Sequence, residues 1–217
     1  MSAARQPEGA RAAAHQGEGI PVRTAPGRPQ ASSLPLGGTA HSAKSAQVGL
    51  LPLQGRARVL GDDINTDYII SSRRKKETID PQQLRRYLLE DADPGFAASV
   101  RDGDVLVAGH NFGCGSAMEV AVTVVLGAGI RAVVARSFSR TYLRNAMNNG
   151  LFAVTADTSG IAEGAQLRLR LDDAGALQLD VGDDLTLPCD PIAPFMLEML
   201  NAGGLVPYLR ARGDFSS

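Results

Sequence analysis

From Gly55 onward, short apolar runs alternate with stretches in which apolar residues recur at helical spacing. Continuous apolar runs within 104–108, 130–135 and 151–155 predict buried strands. Between them, 117–128 and 139–149 predict helices, the second closed by Gly150 just past its end. Upstream, 56–59 and 68–70 are predicted as short strands flanking the turn-rich Gly61-Asp62-Asp63. Pro81, with Asp80 before it as N-cap, opens a helix predicted over 82–90. The β-α-β-α-β order argues for an α/β core with parallel pairing. Downstream the period changes to two: 166–171 and 176–181 alternate apolar and polar residues around Asp172-Asp173-Ala174-Gly175, a hairpin signature. A short strand at 185–187 and a helix at 194–201, ended by Gly203-Gly204, complete the pattern. A β-rich layer is therefore added to the α/β core.

Residues 1–54 lack this texture. They are rich in Ala, Gly, Pro, Ser and Gln and hold no aromatic residue, the first being Tyr68. So little apolar surface does not offset the entropy of ordering, and 1–54 is expected to be a disordered extension, with the folded domain at 55–217. The extension carries Arg5, Arg11, Arg23, Arg28 and Lys44 against Glu8 and Glu18. That acid-poor balance suits a transit peptide, but no amphipathic arginine helix and no secretory pattern is evident, so a bacterial extension without a targeting role is preferred.

Composition narrows the function classes. Of the 217 residues 44% are hydrophobic, enough for a core, yet no stretch approaches the roughly 20 apolar residues of a membrane span. A formal charge of −1 gives no basic field for nucleic acid. The two cysteines, Cys114 and Cys189, suit a reducing cytoplasm and cannot hold a four-cysteine iron–sulfur cluster, so no metal site is assigned to this chain.

The chemistry concentrates at Gly113-Cys114-Gly115-Ser116. A strand ending in such a run before a helix makes an anion site, because glycines admit close backbone approach and free N–H groups favour negative charge. Ser116 is expected to cap the helix, with Glu119 completing a capping box. A well-capped helix alone would explain the same spacing. A dinucleotide fingerprint fails for want of a third glycine, and a serine-hydrolase elbow fails on spacing. Cys114 as nucleophile would need a histidine, and only His110 is near in sequence; a buried structural thiol is the better reading.

In sequence order, Gly61-Asp62-Asp63-Ile64-Asn65-Thr66-Asp67-Tyr68-Ile69-Ile70, Glu90-Asp91-Ala92-Asp93-Pro94 with Phe96, Asp102-Gly103-Asp104, Ala108-Gly109-His110-Asn111-Phe112-Gly113-Cys114-Gly115-Ser116, Ala135-Arg136-Ser137-Phe138-Ser139-Arg140, Arg144-Asn145 and Asn148-Asn149-Gly150 resemble the small subunits of the isopropylmalate dehydratase and homoaconitase family, in the aconitase superfamily. The resemblance implies a swivelling three-layer β/β/α domain like the last domain of aconitase. It also implies a separate large subunit carrying a 4Fe–4S cluster, whose open iron acts as Lewis acid on the substrate. This domain would then supply backbone amides, a serine and an arginine for substrate carboxylates and for proton abstraction.

The chain departs from that family where the chemistry sits. The usual run is Gly-x-Gly-Ser-Ser-Arg-Glu-His, whereas here it is Gly113-Cys114-Gly115-Ser116-Ala117-Met118-Glu119-Val120. The serine that the family uses as base is Ala117, and the carboxylate-clamping arginine is Met118. Either another residue does the work, or the substrate differs, or the subunit is catalytically silent. The loop following Ile70, where the family sets specificity, carries Arg73-Arg74-Lys75-Lys76, four cations suited to a polyanion or simply to solvent. Arg73 or Lys76 is expected to replace the lost clamp. Arg140 and Arg144 share a helix face and either bind ligand or pair with acids of the same domain. The expected activity is a hydro-lyase acting on a hydroxylated di- or tricarboxylate. Ser116 is the catalytic candidate; Gly113, Cys114, Gly115, Ser116, Ala117, Arg73, Lys76, Asp67 and Arg144 are the substrate-binding candidates. The alternatives are a homoaconitase- or dimethylmalate-type subunit of changed specificity, a non-catalytic swivel subunit, and a stand-alone anion-binding module.

Overall fold

The structure, a computed structural model, describes residues 50–213; expectations for 1–49 and 214–217 lie outside the described residues. One seven-stranded sheet organises the chain in the order β4-β3-β2-β1-β5-β6-β7. The strands are β1 (Leu53–Val59), β2 (Val105–Ala108), β3 (Ala132–Ala135), β4 (Phe152–Thr155), β5 (Gln166–Leu171), β6 (Leu177–Val181) and β7 (Leu185–Pro188). β1 to β4 pair in parallel, in the register Ala57↔Val105↔Ala132↔Phe152. β5 to β7 are antiparallel, and β5 joins the first half of β1 through Leu53↔Leu169. β1 thus begins at Leu53, three residues before the strand expected over 56–59, and Leu51 and Leu53 pack on the core. Gly55 permits the crossing there: a Cβ would lie 1.8 Å from the carbonyl oxygen of Gly103.

Strand alternation builds three layers. Val105, Val107, Val134, Phe152 and Val154 face Leu167, Leu169, Leu177 and Leu179, so the parallel half packs against the antiparallel half. Leu106, Ala108, Val133, Ala135 and Ala153 face the other way, onto helices. The helices are α1 (Thr66–Ile69), α2 (Arg74–Glu77), α3 (Pro81–Leu84), α4 (Phe96–Ser99), α5 (Val120–Gly127), α6 (Arg140–Asn148), α7 (Pro194–Asn201) and α8 (Leu205–Ala211). In α5, Ala121, Val122, Val124 and Val125 are fully buried, consistent with a helix apolar all round. The β/β/α architecture is the one expected.

Three local expectations are corrected. Tyr68 to Ile70 was expected in a strand but lies at the end of α1, because the Asn65 side chain accepts the Asp67 N–H (2.9 Å) and caps a helical turn. The helix over 82–90 stops at Leu84 and runs into a 3-10 turn, Arg85–Tyr87. Leu89, at φ +58°, cannot continue it and gives its N–H to Ile69 O (3.0 Å). α8, beginning after Gly204 at φ +112°, was not anticipated. The Asp80 cap and Gly150 at φ +79° stand where the pattern put them, while Ser139 caps α6 rather than opening it.

An ion cluster anchors β1 to β2. The carboxylate of Asp104, buried, accepts from Arg56 Nη2 (2.7 Å) and from the Arg101 N–H (2.9 Å), with Arg58 Nη1 3.6 Å away. Arg58 donates onward to Glu163 (2.8 Å) and lies over the Phe96 ring (4.4 Å). Burial pushes the Asp104 value up, but the bonds from Arg56 and Arg101 and the nearby guanidinium charges outweigh it and hold it below the ordinary range. A depressed folded-state value stabilises above the ordinary aspartate range, and that stability is lost as pH falls through the folded value. Asp104→Asn is expected to cost about 2 kcal/mol near neutral pH and lower the melting temperature by roughly 4–8 °C. Its melting temperature should also fall less steeply than wild type below about pH 4. Equal acid profiles would refute this role.

Candidate functional site

The parallel strands end on one edge, and the segments leaving them interlock there. After β1, the Asp62 carboxylate accepts the His110 N–H (2.6 Å), and the Asp63 carboxylate accepts from Asn111 Nδ2 (2.8 Å). After β2, Gly113 N–H donates to Ile64 O and Thr66 N–H to Cys114 O, each at 2.8 Å. After β3, the Ser137 hydroxyl accepts the Asn111 N–H (2.8 Å), while Phe112 N–H donates to Ser137 O (3.0 Å). Asp63 and Asn111 take left-handed conformations, φ +54° and +58°, which these residue types tolerate best. Carboxyl ends of parallel strands are where open α/β sheets bind ligands.

Beneath this edge lie three rings. Phe112 meets Phe138 (5.9 Å between centroids) and Tyr142 (5.1 Å) edge-on, and Phe138 stacks on Tyr142 at 6.5 Å. Gly113, at φ +75°, sits against Tyr142, where a Cβ would come within 2.2 Å of the ring. Burial pushes the Tyr142 phenol far above its ordinary range, so it stays neutral and serves as floor rather than base.

Above the floor, Gly115, Ser116 and Ala117 are exposed. Among the described residues their N–H groups make no hydrogen bond within the chain. The Ser116 carbonyl accepts from Thr66 Oγ1 (3.0 Å), which fixes the loop while leaving the Ser116 hydroxyl outward. Gly115, at φ +91°, lies against Asn65, whose Oδ1 would be 2.4 Å from an added Cβ. The expected helix cap is corrected: α5 starts at Val120 with Glu119 as N-cap, and no side chain caps it. Thr66 bonds the Ser116 carbonyl, and Ser116 lies four residues before the first helical position. An anion held here would meet open loop amides, not a helix end.

The surrounding cations are unequal. Arg73, exposed, pairs with Asp91 (3.0 Å) and lies 3.8 Å from Glu90. Arg74 makes two bonds to Glu90 (2.7 and 3.0 Å) and stacks on Tyr87 (3.9 Å). Lys76 is exposed. Lys75, half-buried, places Nζ 2.9 Å from Sδ of Met118, itself buried beside the loop. Asp67 accepts a short hydrogen bond from the Ser72 hydroxyl. Arg140 and Arg144 line a different feature, an apolar groove with Leu143, Met147, Phe195 and Met199, and among the described residues neither bonds to the loop. The structure therefore gathers Gly113, Cys114, Gly115, Ser116 and Ala117, ties Arg73 to acids, and sets Arg144 on the groove.

The aconitase C-terminal domain family matches residues 81–159. The 3-isopropylmalate dehydratase small subunit of Moorella thermoacetica is 43% identical over 159 residues, 72% of this chain and 94% of that protein. The chain belongs to the isopropylmalate dehydratase small-subunit family. The methanogen homoaconitase small subunit of Methanocaldococcus jannaschii is 40% identical over 160 residues, 74% of this chain and 92% of that protein. The solved structure of 3-isopropylmalate dehydratase from the same organism shares 39% identity at a TM-score of 0.68, over 74% of this chain and 95% of that one. Relatives at nearly equal identity thus carry two different substrate names.

Within this small-subunit frame, Ala117 presents an exposed methyl group and Met118 a buried thioether. Among the described residues no three His, Cys, Asp or Glu side chains converge as metal ligands. Cys114 and Cys189 lie on separate segments. Burial, reinforced by Asp190, pushes the Cys189 thiol up to about 11, which disfavours the thiolate that a cluster needs. These residues do not fit a 4Fe–4S cluster. Motif reading missed Asn65, Thr66 and Lys75, which shape the loop; the only signal was that Asn65 and Thr66 lie inside the family-like run and Lys75 inside the cationic one.

Proposed function

We propose that this chain is the small subunit of a heteromeric hydro-lyase that dehydrates and rehydrates a hydroxylated di- or tricarboxylate, with the 4Fe–4S cluster carried by a large subunit. The observation that carries the reading is the exposed loop at Gly115, Ser116 and Ala117, with its unengaged amides at the carboxyl edge of the parallel strands. Unengaged loop N–H groups of this kind can stabilise negative charge on a substrate carboxylate. Ser116 then presents the one hydroxyl of this segment to the carbon alpha to that carboxylate. Acting there as proton acceptor, it needs positive potential to hold its alkoxide, which open amides help to supply.

The relatives' names support both an isopropylmalate-type and a homoaconitate-type substrate. A second reading, a non-catalytic subunit, is favoured by Ala117 and buried Met118, which offer neither a proton acceptor nor a cation. Co-expression with the candidate large subunit tests the partnership. Expected is one heteromer carrying iron and cluster absorbance. A chain that stays alone in size-exclusion chromatography, and binds dicarboxylates by itself, would instead be a stand-alone module.

A further inference from the structure

Arg140 and Arg144 stand four residues apart on α6, hence on one face, and neither is paired with a carboxylate among the described residues. The acids of neighbouring segments are engaged elsewhere. Glu198, the acid of α7, bonds to Arg212 (3.0 Å) and Tyr208 (3.3 Å), and Asp157 pairs with Arg136 (3.2 Å). Both guanidiniums line a groove of about 420 Å³ that is otherwise almost wholly apolar, formed by Leu143, Met147, Phe195, Met196 and Met199. Phe195 is 60% exposed, which leaves a large apolar side chain in water beside two uncompensated cations. A further cavity of about 250 Å³ shares Leu143, Met147 and Met196 and reaches Thr155, the last residue of β4. The groove therefore continues to the carboxyl edge of the parallel strands. At its arginine end α6 is tied to the same edge, since the Ser139 N–H donates to the Phe112 carbonyl (2.9 Å) just before the loop at 113–117.

We propose that this groove is the docking surface for the large subunit. It takes an amphipathic helix whose apolar side chains fill the groove and whose carboxylates, one turn apart, meet Arg140 and Arg144. Three methionines suit that use, because unbranched thioethers repack around an incoming side chain. Charge argues against a second copy of this chain: a symmetric interface repeats one patch, which doubles the cations and brings no acid from the groove lining. The inference rests on the hydro-lyase reading for the identity of the partner, but not for the chemistry of the groove.

The test measures the dissociation constant between the full chain and the cluster-bearing large subunit, prepared anaerobically. Expected for Arg140→Glu with Arg144→Glu is a Kd raised roughly 100-fold or more, because attraction becomes repulsion. Phe195→Ala should raise it roughly 10-fold. All three side chains are exposed, so melting temperatures should stay within about 1 °C of wild type. Arg85→Glu with Arg131→Glu, also exposed and unpaired among the described residues, controls for overall charge and should leave Kd within about threefold. Groove variants that bind like wild type would overturn the proposal, and turnover by the wild-type heteromer would then leave the hydro-lyase reading in place. An equal loss in the control pair would overturn it too, as would wild-type self-association that the groove variants abolish, which assigns the groove to a second copy. Binding lost only in the groove variants, with a wild-type heteromer that turns nothing over, sustains the groove while the hydro-lyase reading fails. No wild-type binding overturns both.

Discussion

Ser116→Ala is expected to lower kcat/KM of the reconstituted heteromer by roughly 100-fold or more, the usual cost of removing a group that acts only in the transition state. The same substitution should leave folding untouched. The Ser116 side chain is exposed, and what holds the loop is its backbone carbonyl, bonded to Thr66 Oγ1 at 3.0 Å. Alanine keeps that carbonyl and removes only the hydroxyl. The melting temperature should therefore stay within about 1 °C, since exposed substitutions away from such bonds are nearly neutral. Unchanged turnover would remove Ser116 from the site and favour a non-catalytic subunit. A parallel fall in stability would show instead that the hydroxyl shapes the loop.

Gly113→Ala is the substitution expected to damage the fold most. Two independent costs add. The backbone at φ +75° disfavours any residue with a Cβ by about 1–2 kcal/mol. The new methyl would also lie 2.2–2.5 Å from three atoms of Tyr142. That ring cannot yield, because it is fully buried and held between Phe112 and Phe138. Overpacking of this kind adds about 1–3 kcal/mol. Together they predict a loss of about 2–5 kcal/mol and a melting temperature lower by roughly 4–20 °C. Gly175→Ala isolates the first cost: Gly175 has φ +81° with nothing within 4 Å, so it should lose about 1 kcal/mol only. Similar losses for both variants would contradict the packing account.

How far the sequence foretold this structure differs by region, for physical reasons. Strands such as Gln166–Leu171 and the helix Pro194–Asn201 were legible to the residue, because alternation, a hairpin turn and an N-terminal proline are local signals. The strand expected over 68–70 is instead the end of α1, because a short apolar run does not distinguish strand from helix and the deciding bond comes from the Asn65 side chain. The site divides in the same way. The loop at 113–117 was visible as a glycine pattern near a strand end, but its geometry was not. Thr66, fifty residues earlier, bonds the Ser116 carbonyl, and no local motif reports such a tertiary bond. Charge counting likewise marked four cations without ranking them. Only the placement of Asp91, Glu90 and Met118 shows which two are neutralised and which one meets a thioether instead.

The central claim is that this chain supplies the anion-binding half of a two-subunit hydro-lyase. Its most direct test is anaerobic reconstitution with the cluster-bearing large subunit, followed by dehydration assays on hydroxylated di- and tricarboxylates, isopropylmalate and dimethylmalate among them. Predicted is turnover of at least one of these acids by the heteromer and by neither subunit alone. A heteromer with an intact cluster that turns over none of them would contradict the claim.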